Sequence, residues 1–345
     1  MKTSVFLPSY LVPGSGTDHA RQMLRFATHA EELGFEALFV TDHLLTAQRF
    51  YRVAWTEPLT TLAHAAALTE RIALGTSVLV LPARNPVLLA KEIATLQHLS
   101  GGRFIFGVGT GWYGPEFEAT GGARSQRGRR TDEVLAATML LLQGGAHTFE
   151  GRYYRFHDVA VEPAAPPPPV WVAGGRQYEH ETSPDGPNMV PAVLDRISRW
   201  DGWIARTTAT DEQIAMDLQD IDVTLARRGV DRRARGFAVA NESFCWLSER
   251  TRRSEVIEEQ QRRMLAVISD ERPWDYIESV YLTGTIDDIQ RRIQFRVDAG
   301  IEHLLVHTMT PDLGQLDLFA KHILEPFRSV QPRGLTTHTL REAGD

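Results

Sequence analysis

Two glycine-rich turns hold most of the chemical information in this chain. The apolar run Phe104-Ile105-Phe106 leads into Gly107-Val108-Gly109-Thr110-Gly111, and Val170-Trp171-Val172-Ala173 leads into Gly174-Gly175-Arg176. A strand that ends in glycines presents backbone amides with no Cβ in the way, and α/β folds place ligands at the C-terminal ends of strands. Gly109, Thr110, Gly111, Gly174 and Gly175 are therefore candidates to grip a phosphorylated cofactor, with Arg176 offering a guanidinium fork to the anion. Glycine turns also serve simply to reverse a chain, but two of them after two apolar strands favour the binding reading. Asp42-His43 ends a third apolar run, Ala37–Val40, where an imidazole can give or take a proton near neutral pH. The competing reading is an Asp helix cap with a histidine bonded to backbone. Glu57-Pro58 reads as a helix start rather than a catalytic carboxylate, and His64 and His98 fall inside helices. There is no HExxH and no cluster with metal-ligand spacing, so no metal is implied. Cys245, the only cysteine, lies in the apolar run VANESFCWL as an inert buried thiol.

The elements that position these residues alternate regularly. Apolar runs near residues 4, 37, 72, 103, 170, 202, 237 and 303 read as eight strands, each followed by helical material. The helical stretches include Asp18–Leu33, closed by Gly34, and Val87–Leu99, opened by Asn85-Pro86. Arg127–Gln143, Glu212–Arg228, Ile286–Ala299 and Leu316–Val330 continue the pattern. Eight βα units predict a closed (β/α)8 TIM barrel rather than an open doubly wound sheet. The chain has 345 residues, against roughly 250 for a typical barrel. The excess falls in 111–126, 147–169, 177–189 and 268–285, expected as loop insertions at the C-terminal face of the strands. Within these, His147–Phe156 predicts a hairpin turning at Gly151-Arg152, and Pro163–Pro169 an extended linker. One domain over 1–330 and a polar tail over 331–345 are expected.

Laid out in this order, the chain resembles the luciferase-like flavin- and deazaflavin-dependent oxidoreductases, the superfamily of bacterial luciferase. The resemblance is strong from Phe35 to Gly175 and weaker to Phe327. It is carried by Phe39-Val40-Thr41-Asp42-His43-Leu44, Glu57-Pro58-Leu59, Arg71 to Val78, Asn85-Pro86 with Ala90-Lys91, and Leu99 to Arg103. Gly107 to Trp112, Glu116-Phe117 to Gly121, Arg127-Gly128 with Asp132-Glu133, and Pro169 to Gly175 complete the ordered set. The likeness is nearest the branch that uses coenzyme F420, with reduced FMN as the alternative cofactor. It implies a tricyclic ring at the C-terminal strand ends, contacted by Asp42, Ser77, Val78 and the two glycine turns with Arg176. It further implies a non-prolyl cis peptide at Ser77-Val78, bulging toward the ring, and a catalytic or orienting role for His43. A homodimer and a separate flavin or F420 reductase are implied as partners. One departure matters: sugar-phosphate dehydrogenases of this kind carry an acid directly after Gly-Thr-Gly, and here Trp112 and Tyr113 follow. That puts sugar-phosphate activity in doubt and suggests an aromatic wall around a planar or apolar small-molecule substrate.

The leading expectation is hydride transfer with F420. The second is monooxygenation with reduced FMN, and the third a non-catalytic cofactor-binding homologue. A net charge of −7 argues against nucleic acid as a partner. No run approaches a membrane span, and the opening MKTSVFLPSYLVPG lacks a signal-peptide core, so a cytoplasmic location is expected.

Overall fold

The computed structural model describes residues 1–11, 18–47, 49–176, 189–269 and 271–331. All of the polar tail but Gln331, and all of the loop at 177–189 but Met189, lie outside these residues. Eight parallel strands close into a barrel: β1 (Lys2–Phe6), β2 (Ala37–Val40), β3 (Ala73–Thr76), β4 (Phe104–Gly109), β5 (Val170–Gly174), β6 (Gly202–Ala205), β7 (Ala238–Phe244) and β8 (His303–His307). β1 pairs with β8, Lys2 opposite His303, and β4 with β5, Val170 opposite Phe106. Every sequence-predicted strand is present, and the (β/α)8 barrel is the fold.

Alternation along the strands sorts their side chains into two cores. Phe6, Ala37, Phe39, Trp171, Ile204, Ala238, Ala240 and Leu305 pack on one another inside the bore. Their neighbours Val5, Leu38, Val40, Leu74, Val108, Val172, Val239 and Val306 face the helices instead. Burying each large side chain contributes roughly 1.5–3 kcal/mol, so the bore is a filled core rather than a channel. Trp171 and Trp203 both lie in core, as their positions within strands suggest.

The outer helices, the first of them α1 (Asp18–Leu33), begin where the sequence signals place them. Asn85 caps α3 (Pro86–Ser100), accepting the Val87 and Leu88 amides, and Gly101 ends it at φ 67°. Glu57 caps α2 (Pro58–Ala66) through the Thr60 amide, which makes it the helix start expected. The expected hairpin pairs 146–150 with 155–160. Its turn is held by Glu133, which accepts the amides of Arg152, Tyr153 and Tyr154. This hairpin lies between the helix Arg127–Leu141 and β5, a connection that starts at the N-terminal end of the barrel. The expectation that all insertions crown the C-terminal face is corrected on that point, because a helix-to-strand link leaves from the opposite rim. The proline-rich linker follows, strapped to α3 by Gln97 donating to the Pro166 carbonyl (2.8 Å) and by His98 against that of Ala164 (2.9 Å).

A third cluster sits above the β1, β7 and β8 strand ends. The described residues of 44–56 and 264–282 are zipped together there. The Arg52 amide donates to the Val267 carbonyl (2.8 Å), the Ser269 amide to that of Phe50 (3.0 Å), and Tyr51 bridges to Ile268. Val53, Met264, Ile268, Ile277 and Tyr281 from these segments bury against Phe244 and Trp246. This cap was not legible as one unit, since its halves are about 200 residues apart. No helix among the described residues is long and apolar enough to cross a membrane.

Candidate functional site

The C-terminal mouth is assembled from the residues that follow each strand. After β2, Asp42 turns inward and accepts the Val80 amide (2.8 Å), while Arg84 Nη2 donates to both of its oxygens (3.0 Å each). Burial pushes the Asp42 carboxyl up against the pull of Arg84. Asp42 thereby ties the end of β2 to the segment beyond β3, and its carboxylate is committed to protein partners.

His43, the next residue, is held by a carboxylate from a different loop. Its Nδ1 lies 3.2 Å from Glu116 Oε1, which also accepts the Leu45 amide (3.1 Å). Glu116 is only 2% exposed and sits on the short helix α4 (Gly114–Ala119), inside the loop after β4. An ionised carboxylate only accepts, so it assigns the proton to Nδ1 and leaves Nε2 as the basic nitrogen. The sequence placed Glu116 in a motif without giving it this task. Four residues separate it from the glycine turn, and only the fold of α4 carries it back to His43. Around the imidazole stand Trp112, edge-on at 5.5 Å, Tyr51 at 5.6 Å and Trp55 at 6.3 Å between ring centroids. Phe50 meets Trp112 at 4.7 Å and Tyr113 meets it at 5.5 Å. Trp112 and Tyr113 thus belong to an aromatic cluster that reaches His43.

A second polar group lies across the bore. Glu242, near the end of β7, accepts the hydroxyls of Ser77 (2.7 Å) and Thr207 (3.1 Å), and it lies 2.9 Å from His307 Nε2. Ser77 follows β3, four strands from β7 in a barrel of eight, so this contact spans the mouth. His307 is stacked between Phe6 (3.4 Å) and Phe244 (4.2 Å). Sequence reasoning missed Glu242, Thr207 and His307. The signal was the alternation Ala238, Ala240, Glu242 on β7 and Leu305, His307 on β8, which carries polar groups into the mouth on the inward face.

The peptide between Ser77 and Val78 is cis, as the resemblance implied. Val78 is half-buried against the bore cluster and offers a flat ring an apolar surface. The polar atoms of His43, Ser77, Thr207 and Glu242 around it suit the edges of a flavin-type heterocycle. The expected phosphate end fits less well. A Cβ at Gly109 would stand 2.3 Å from Val78 Cγ2, one at Gly174 2.6 Å from Val193 Cγ1, and one at Gly175 2.6 Å from Asp217 Oδ2. These glycines make room for the protein's own side chains. At Gly111, φ is 67° and Val80 Cγ1 would be 2.7 Å away, so the turn itself demands glycine. Thr110 is half-buried beside it. Arg176 is buried and paired with Asp217 (3.4 Å) and Asp220. Burial pushes the Asp217 carboxyl up to about 6 despite that arginine. The anion fork read from Gly-Gly-Arg is thus turned toward two carboxylates of the helix Asp211–Arg227. Cys245 is fully buried and its thiol is pushed up by burial, in keeping with an inert role. No group of three His, Cys, Asp or Glu side chains among the described residues is arranged to hold a metal.

Comparison with known proteins points the same way as the geometry. Residues 1–303 match the sequence family described as luciferase-like monooxygenase. The F420-dependent glucose-6-phosphate dehydrogenase of Intrasporangium calvum is 30% identical over 341 residues, covering 90% of this chain and 96% of that protein. A solved F420-dependent secondary alcohol dehydrogenase, in complex with an F420-acetone adduct, superposes with TM-score 0.74 at 17% identity, over 93% of this chain and 98% of its own. The oxygenating constituent of 3,6-diketocamphane monooxygenase from Pseudomonas putida, in complex with FMN, gives 0.72 at 16% identity, over 96% and 99%.

Proposed function

The chain belongs to the luciferase-like family and is an oxidoreductase of that family, and from this premise we propose that it transfers hydride between coenzyme F420 and a small, planar or apolar substrate bearing an alcohol or carbonyl. The observation that carries this reading is the buried His43–Glu116 pair at the end of β2, facing an aromatic wall. Bound in the mouth, the deazaflavin ring would supply the hydride acceptor or donor. Ser77 and Val78 would hold the ring, with Gly109, Thr110 and Gly111 beside it. Oxidation of an alcohol releases a hydroxyl proton, and His43 Nε2 is the atom free to take it. Glu116 keeps Nδ1 protonated and stabilises the imidazolium that forms. Trp112 and Tyr113 would seat the substrate and exclude water. Trp112 occupies the place where a sugar-phosphate enzyme of this type carries its acid, and Arg176 is taken by carboxylates. Both observations weigh against a sugar phosphate as the substrate.

A second reading, monooxygenation with reduced FMN supplied by a separate reductase, draws support from the same aromatic enclosure, since oxygen chemistry needs a dry site. Titration of the protein with F420 and with FMN, oxidised and reduced, decides between them. Tight binding and thermal stabilisation by F420 alone are expected, and a preference for FMN overturns the hydride reading. His43→Ala should cut turnover by about 10²–10⁴-fold while cofactor affinity moves only a few-fold; unchanged turnover removes His43 from catalysis. A homodimer is also proposed, testable by light scattering on the eluted protein.

A further inference from the structure

Glu242 gathers donors from three other parts of the barrel rim: Ser77 beyond β3, Thr207 beyond β6 and His307 at the end of β8. We propose that Glu242 is a positioning residue that fixes His307 as a second basic nitrogen of the mouth, a function that nothing in the His43 chemistry provides. The proposal deepens the oxidoreductase reading and rests on it for its use in catalysis, while its geometry stands apart from any cofactor.

The argument follows from what a carboxylate can do. When ionised it has lone pairs and no proton to give. All three partners must then donate, and His307 does so through Nε2. Neutral His307 is consequently the Nε2–H tautomer, with the lone pair on Nδ1. The ring is held flat between Phe6 and Phe244 at 3.4 and 4.2 Å, with interplanar angles of 16° and 20°. It cannot turn over without leaving both faces.

The arrangement repeats the logic of His43 with the nitrogens exchanged. Glu116 holds His43 by Nδ1, and Glu242 holds His307 by Nε2. The indole of Trp55 stands between the two imidazoles, 6.3 Å from one and 6.5 Å from the other. The same indole thus contacts both imidazoles. A reaction that moves a hydride also moves a proton, and here two imidazoles, each with one nitrogen pinned, are available to hold it. Glu242 is the ionisable side chain in contact with His307; Phe6, Phe244 and Trp55 supply the other faces.

The test uses the whole protein with 15N-labelled histidine, read by long-range proton–nitrogen spectra in alkaline buffer, where imidazoles are neutral. Wild-type His307 should carry its proton on Nε2 alone. In Glu242→Gln, which removes the charge and keeps the shape but lets the amide either donate or accept, the exclusive Nε2–H signature of His307 should be lost and its ring nitrogen shifts should move, while those of His43 stay unchanged. A purely structural carboxylate would lower thermal stability and leave both readouts in place. An unaltered His307 tautomer with unmoved nitrogen shifts in the Gln variant overturns the proposal, and so does a wild-type ring protonated on Nδ1. Should the variant fail to fold, the wild-type spectrum decides alone: Nε2–H upholds the assignment and Nδ1–H overturns it. Binding of F420 and FMN to the wild type is measured alongside. If neither binds, the oxidoreductase reading fails while the tautomer result still judges Glu242.

Discussion

At the scale of single residues, the mouth is governed by which nitrogen each carboxylate holds. Glu116→Gln preserves the shape of the His43 contact but removes the charge that stabilises an imidazolium. It should lower turnover by about 10²-fold or more without loosening the cofactor, checked by comparing kcat with cofactor affinity. A different histidine bears on stability in acid. His303, at the start of β8, is stacked edge-on against Trp171 at 4.9 Å, and its Nδ1 is buried without a hydrogen-bond partner. Burial, then the charges of Lys2 and the amino terminus, push it down to about 3. Between that value and the ordinary 6.5 the unfolded chain binds a proton that the folded chain refuses, so stability falls as pH drops through this window. Going from about pH 6 to about pH 4 should cost of the order of 2 kcal/mol through this group. His303→Gln should flatten that slope in denaturant titrations; an unchanged slope would assign the acid loss to other groups.

The elements explain why some of this was readable and some was not. The eight strands announced themselves as short apolar runs, and the caps Glu57 and Asn85 as helix starts, because burial and capping act locally. His43 was legible for the same reason, since it directly follows a strand. Glu116 was not, because α4 is a six-residue helix without a side-chain cap and is stable only through Phe117 and Glu116 packing beneath it. Glu242 and His307 were hidden because nothing local marks which face of a strand looks into a bore. What surrounds the glycines was hidden too: Gly174 lies against Val193 and Gly175 against Asp217. Gly111 is the hinge through which β4 hands the chain to α4. Gly111→Ala places a side chain at φ 67°, 2.7 Å from Val80 and 3.1 Å from Phe117. It should destabilise by about 1–3 kcal/mol and lift Glu116 away from His43. Thermal melts and the His43 tautomer would both register this, and a variant as stable as wild type would contradict the packing argument.

On the scale of the whole molecule, the barrel is a rigid cylinder carrying a cap made of two distant stretches, 44–56 and 264–282. Because the Arg52 and Ser269 amides close on the opposite stretch, they should exchange with solvent together, faster than amides of β2 or β8, and slow when the cofactor is bound. Independent exchange of the two would mean that the stretches open separately. The plugged bore has a kinetic corollary. Phe39, Trp171, Ile204 and Leu305 block passage through the cylinder, so molecules arrive at the mouth and depart from it on the same side of the barrel. A ring resting on Val78 would lie at the back of that dead-end chamber, with the smaller reactant stacked in front of it. The deeper guest then has to come first and go last, and steady-state product-inhibition patterns should show a compulsory sequence of addition in place of random traffic.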